Sequence, residues 1–161
     1  MNQEIRAPEN HLHPRFHDFT VLLSPTPRGA HLARLLATEQ LRSWGLPSDP
    51  AEQIVMELAT NAATHGRVVG RDFRLSLYVI AGTLRIEVTD TRGDRLPRVR
   101  RPGGSADSGR GLLLVDALAD RWGVVTEPFP RKTVWAEVGL RTWKSGAPDP
   151  GGGGRTRRVQ G

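Results

Sequence analysis

Residues 73–90 read FRLSLYVIAGTLRIEVTD, and their periodicity constrains everything around them. Phe73, Leu75, Leu77 and Val79 alternate with Arg74, Ser76 and Tyr78. After an Ala81-Gly82 turn, Leu84, Ile86 and Val88 alternate with Arg85, Glu87 and Thr89. Successive side chains of a strand leave on opposite faces, so two such runs around a short glycine-containing turn predict an antiparallel hairpin with one apolar face. That face needs a covering layer, and the flanking segments supply one.

Upstream, the period becomes helical. Residues 49–65 open with Asp49-Pro50-Ala51-Glu52, which resembles a capping box, with Asp49 as cap and proline at the first helical position. Ile54, Val55, Leu58 and Ala62 fall on one face, and Gly66 stops the run. Before it, residues 27–44 form a second helical pattern. Its expected buried stripe is Leu32, Leu35, Leu36 and Leu41, and Gly45 follows as a stop signal. Residues 19–23, FTVLL, suit a strand.

Downstream, residues 91–109 have no period and many breakers, which predicts a long loop of the kind that serves as a lid or stays disordered. Residues 111–122 return to a helical pattern with Leu112, Leu113, Val115 and Leu118 inward, and a last hairpin follows at 123–126 and 133–140. The order is strand, helix, helix, strand, strand, loop, helix, strand, strand. It predicts a two-layer α/β sandwich with a mixed, mostly antiparallel sheet. Residues 1–18 read as a flexible leader, 19–144 as the folded unit, and 145–161 as a disordered Gly/Arg-rich tail.

Composition removes several functions. Cysteine is absent, which excludes disulfides, thiolate catalysis and Cys-based zinc sites. No run approaches the roughly 18 apolar residues that span a bilayer, and the first residues lack the apolar core of a secretory signal, so a cytoplasmic location is expected. The net charge is +6, but it lies in Arg92, Arg95, Arg98, Arg100, Arg101 and the tail arginines Arg155, Arg157 and Arg158, with no interleaved aromatics. That pattern favours solvated segments or docking of an acidic partner over a nucleic-acid surface.

Three groups of residues can carry chemistry. Glu57, Asn61 and His65 recur at i, i+4, i+8 and drift only about 80° around a helix, forming one polar ridge. A carboxylate and a carboxamide one turn apart can present oxygens to a hard cation or its waters, and the carboxylate can take a proton from an attacking hydroxyl. The same spacing also occurs on ordinary solvated helices. Asp90, at a strand end, can accept a hydrogen bond from an exocyclic amine or simply form a turn. Ser108-Gly109-Arg110-Gly111-Leu112 joins the loop to a helix start, where free N–H groups and an arginine favour phosphate. The chain contains no P-loop or dinucleotide fingerprint.

Taken in order, ELATNAATHG at 57–66, VTDTRGD at 88–94, SGRGLLLVDALADRWGV at 108–124 and KTVWAEV at 132–138 resemble the GHKL (histidine-kinase-like) ATPase superfamily. The likeness is greatest to the bacterial anti-sigma-factor serine/threonine kinases and covers roughly residues 19–140, with Thr60 and Gly66 also matching. The resemblance implies ATP and Mg2+ as cofactors. It implies Glu57 as general base, Asn61 as the magnesium ligand and Asp90 as the reader of the adenine amine. His65 belongs to the same motif. Gly93, Gly109, Arg110, Gly111 and Leu112 would belong to the lid and its phosphate-cradling end, and Thr133 would support Asp90 from a neighbouring strand. The chain departs from the family pattern at Asp90-Thr91-Arg92-Gly93-Asp94, where the glycine is displaced by one position and Arg92 stands in its place.

The function so implied is an ATP-binding regulatory protein that phosphorylates a small antagonist partner. The implied partners are a sigma factor and an antagonist domain, and a homodimer is left open. The alternative is a nucleotide-gated binding module without kinase turnover.

Overall fold

A computed structural model describes residues 16–92, 110–126 and 128–140. Five strands and three helices follow in the order β1 (Phe16–Leu23), α1 (Pro27–Ser43), α2 (Ala51–Thr64), β2 (Phe73–Ile80), β3 (Thr83–Asp90), α3 (Arg110–Leu118), β4 (Arg121–Val125) and β5 (Lys132–Gly139). The element order is the one expected. Of the expected leader 1–18, residues 16–18 belong to β1 instead, while residues 1–15, most of the lid segment and the tail from residue 145 lie outside the described residues.

The strands form one sheet in the order β1-β2-β3-β5-β4. The mostly antiparallel sheet of the expected α/β fold is antiparallel at each neighbouring pair of described strands. β5 lies between β3 and β4, so β1, β3 and β4 run one way and β2 and β5 the other. The β2–β3 hairpin pairs in the register the alternation requires, with Leu75 opposite Val88 and Leu77 opposite Ile86.

The helices cover one face of this sheet. Phe73, Leu75, Leu77, Leu84, Ile86 and Val88 are buried against Ile54, Val55, Leu58 and Ala62 of α2 and Val115 of α3. α1 corrects the sequence reading. Its buried stripe is Ala30, Ala33, Ala37 and Leu41, whereas Leu32 and Leu35 are 43% and 47% exposed and Leu36 is only partly buried. The alanines let α1 approach the rest of the helical layer closely, and the larger leucines are rotated outward. Thr26 caps α1 by accepting the Gly29 N–H at 3.0 Å.

The start of α2 also differs. Asp49 makes no cap, Pro50 occupies the cap position without a side-chain hydrogen bond, and the Ser48 carbonyl takes the Glu52 N–H at 2.7 Å. Glu52 does not reach back; its carboxylate pairs with Arg34 of α1 and ties the two helices together. α3 ends at Leu118, four residues before Trp122, which pairs with Ala136 in the sheet and donates its Nε1 to Asp116 at 2.9 Å.

Candidate functional site

α2 carries the ridge. Glu57 and Asn61 are both half-buried on it, and His65 is its C-terminal cap residue. The carbonyl of Asn61 closes the helix by accepting the N–H of His65 at 2.8 Å and of Gly66 at 3.3 Å. Burial pushes the Glu57 carboxyl above the ordinary glutamate range, which makes it a stronger proton acceptor than a solvated glutamate.

The end of α2 abuts the end of β3. Gly66 is buried, and a side chain there would overlap the carboxylate of Asp90. Asp90 belongs to the inner row of β3 with Leu84, Ile86 and Val88, where it is 5% exposed. Its Oδ1 accepts the backbone N–H of Arg92 at 2.8 Å, and its Oδ2 lies 3.3 Å from Nζ of Lys132. Burial raises the Asp90 carboxyl above its ordinary range, while the Arg92 N–H and the charges of Lys132 and Arg92 pull it back. Glu57 lies seven residues before Thr64, the last residue of α2, so it stands about 10 Å along the axis from the helix end that meets Asp90.

The structure therefore brings Asp90 to the end of the helix that carries Glu57, Asn61 and His65. It does not bring Thr133 there. Thr133 stands opposite Thr89 in the sheet, and their hydroxyls share a hydrogen bond of 2.7 Å on the face turned away from the helices. The residue opposite Asp90 is Lys132, which the sequence reading missed. The signal was present: Lys132, Val134 and Ala136 lie at period two, so strand alternation alone puts the lysine in the buried row.

Arg110 and Gly111 are the first residues of α3, Leu112 is buried one position later, and α3 packs on α2. Gly93 and Gly109 lie outside the described residues. The described residues contain no cluster of three or more His, Asp or Glu side chains able to cage a metal. A single carboxamide beside a carboxylate instead fits a magnesium ion that keeps several waters and is held chiefly by substrate phosphates.

An antiparallel sheet with helices on one face, and a buried acid at the strand end that meets the end of α2, make up the architecture. The family model for the histidine kinase-like ATPase domain matches residues 23–136, and the chain belongs to that family. Among solved structures, the RsbU and RsbW domains of Rv1364c from Mycobacterium tuberculosis superpose with a TM-score of 0.57 at 19% identity. That match covers 76% of this chain and 32% of the longer one, and it shows a shared fold. No curated protein sequence matches the chain. Among the described residues, no helix is long and apolar enough to cross a membrane.

Proposed function

We propose that this chain binds magnesium-ATP along α2 and acts as a regulatory serine/threonine kinase of the anti-sigma-factor type, within a unit spanning residues 19–144. The observation that carries the reading is the placement of Asp90 at the end of the helix that bears Glu57 and Asn61. An extended nucleotide laid along that helix has its base at Asp90 and its γ-phosphate near Glu57. Family membership and the order of the motifs support the same assignment.

Asp90 would accept a hydrogen bond from the adenine amine, and Asn61 would hold the magnesium ion that the triphosphate carries. The ion supplies charge neutralisation on the phosphates. Arg110 and the N–H groups at the start of α3 suit the phosphate end. Glu57 takes the proton of a serine or threonine hydroxyl on a protein partner as its oxygen bonds to the γ-phosphorus. The bridging P–O bond breaks and ADP leaves. Such transfer relies on positioning and electrostatics, which a short set of polar groups can provide. The partners this implies are a small antagonist domain carrying the accepting residue and a sigma factor.

A second reading, a nucleotide-gated binding module, is favoured by Arg92 standing where the family pattern has glycine, with its N–H already engaged by Asp90. Calorimetry with magnesium-ATP, followed by labelled-phosphate transfer to purified antagonist-type domains, separates the two. The kinase reading expects transfer to serine or threonine that is lost in Glu57→Ala while ATP binding persists. Binding without transfer to any such domain supports the module, and absence of ATP binding overturns both.

A further inference from the structure

Lys132 is the buried charge that the scheme above leaves without a task. β5 turns Lys132, Val134 and Ala136 towards the helical layer, and Lys132 is only 1% exposed. An ammonium in an apolar row is expensive to desolvate, and well-packed apolar residues in place of a buried ion pair are often as stable or more so. Packing therefore gives no reason for a lysine at this position.

Its surroundings give one. Lys132 Nζ faces Asp90 Oδ2 at 3.3 Å, the Arg92 N–H holds Oδ1 at 2.8 Å, and Gly66 lies against the carboxyl so closely that a Cβ there would overlap Oδ2. Both oxygens are fixed, yet a carboxylate offers about four acceptor positions, so it can still accept from a base. Lys132 from β5 and Arg92 from beyond β3 are the cations acting on it. α2 meets it with Gly66, whose neighbour His65 is the titratable residue of that helix end.

We propose that Lys132 is a positioning residue of the nucleotide site, holding the Asp90 carboxylate charged and oriented to accept the exocyclic amine of adenine. This rests on the adenine-reading role of Asp90. A hydrogen bond to an ionised acceptor is roughly twice as strong as one to a neutral group, so an Asp90 that stays protonated reads the base poorly. Burial favours that protonated form, and the lysine opposes it.

The test measures magnesium-ATP and magnesium-tripolyphosphate affinity across pH for wild type, Asp90→Asn, Lys132→Met and Lys132→Arg. Carbon NMR titration of the Asp90 carboxyl, without nucleotide, accompanies it. Wild type and Lys132→Arg should bind ATP alike, weakening only towards acid. Lys132→Met should bind ATP about tenfold or more weakly near neutrality, recover as pH rises, and titrate Asp90 at higher pH than wild type. Tripolyphosphate, which has no base, should bind wild type and Lys132→Met equally.

Lys132→Gln replaces the methionine variant if thermal melting shows that the latter does not fold. Wild-type affinity and pH profile in the neutral variants would overturn the proposal, as would a parallel loss of tripolyphosphate binding, which marks a merely structural lysine. If wild type binds tripolyphosphate and ATP equally, or binds neither, the adenine reading falls and this role with it. The carboxyl titration then still decides separately whether Lys132 holds the charge of Asp90.

Discussion

Oδ2 of Asp90, at the end of β3, lies so close to Gly66, just past α2, that a Cβ on the glycine would overlap it; the same Cβ would meet the Ala62 carbonyl at 3.0 Å. The obstacles are a backbone oxygen and a carboxylate pinned at both of its oxygens, so neither moves aside easily. Gly66→Ala should therefore displace the helix end from the strand end. It should lower stability by about 1–3 kcal/mol in urea unfolding and weaken ATP binding more than a mutation of equal stability cost elsewhere.

Glu57 gives a prediction whose sign follows from its burial. Its folded pKa lies above the ordinary glutamate value of 4.5 because burial disfavours the charged form. The unfolded chain then releases the proton first as pH rises. The stability contributed by this group is fully present below the unfolded pKa and is lost as pH rises through the folded one. Glu57→Gln removes that titration. Its melting temperature relative to wild type should rise as pH increases above the ordinary glutamate value of 4.5, ending unchanged or about a degree or two higher, and on the proposed kinase reading phosphoryl transfer is lost. A variant that melts well below wild type at neutral pH would show that the carboxylate is structurally required.

Sequence alternation located the sheet and the polar ridge because strands and helices with one buried face write their period directly into the chain, as in Leu84, Ile86 and Val88 or Ile54, Leu58 and Ala62. It failed on α1 because residue size is a poor guide to burial where two elements pack closely. Ala33 and Ala37 are fully buried while Leu32 and Leu35 face outward. The site was legible as a set of residue types, but not as pairings. Which residue faces Asp90 depends on the β3–β5 register, and a shift of one residue exchanges Lys132 for Thr133.

The α1 correction is itself testable. Leu32→Gln and Leu35→Gln should each change stability by no more than about 0.5 kcal/mol, because both residues lie on the exposed side of α1 outside the core. Ala33→Leu should lower it by about 1–3 kcal/mol through overpacking. The opposite ranking in chemical unfolding would restore the leucine stripe as the buried face.

On the sheet face away from the helices, Arg85 joins several groups. Its guanidinium lies 4.3 Å from the Trp135 ring centroid, and its Nε donates to Glu87 at 2.8 Å. Tyr78 donates its hydroxyl to the same carboxylate at 2.7 Å. Arg85→Ala leaves Glu87 largely buried without this cation, and a loss of about 3 kcal/mol is expected. Arg85→Ala with Glu87→Gln should recover part of that loss, since the stranded charge is gone. Equal stability of the single and double variants would mean that the penalty comes from the lost cover over Trp135.

Thr133 separates the register seen here from the role its motif implies. If the threonine supports Asp90, replacing its hydroxyl by a methyl in Thr133→Val should weaken ATP binding. The structure instead gives that hydroxyl to Thr89 at 2.7 Å, on the face opposite Asp90. Thr133→Val should then cost about 1 kcal/mol of stability, the usual net value of one hydrogen bond, and leave nucleotide affinity unchanged. Thr89→Val should cost a similar amount alone and little more in combination, because both substitutions remove the same bond. A loss of ATP affinity in Thr133→Val that exceeds the loss in Thr89→Val would require a β5 register shifted by one residue, with Thr133 rather than Lys132 facing Asp90.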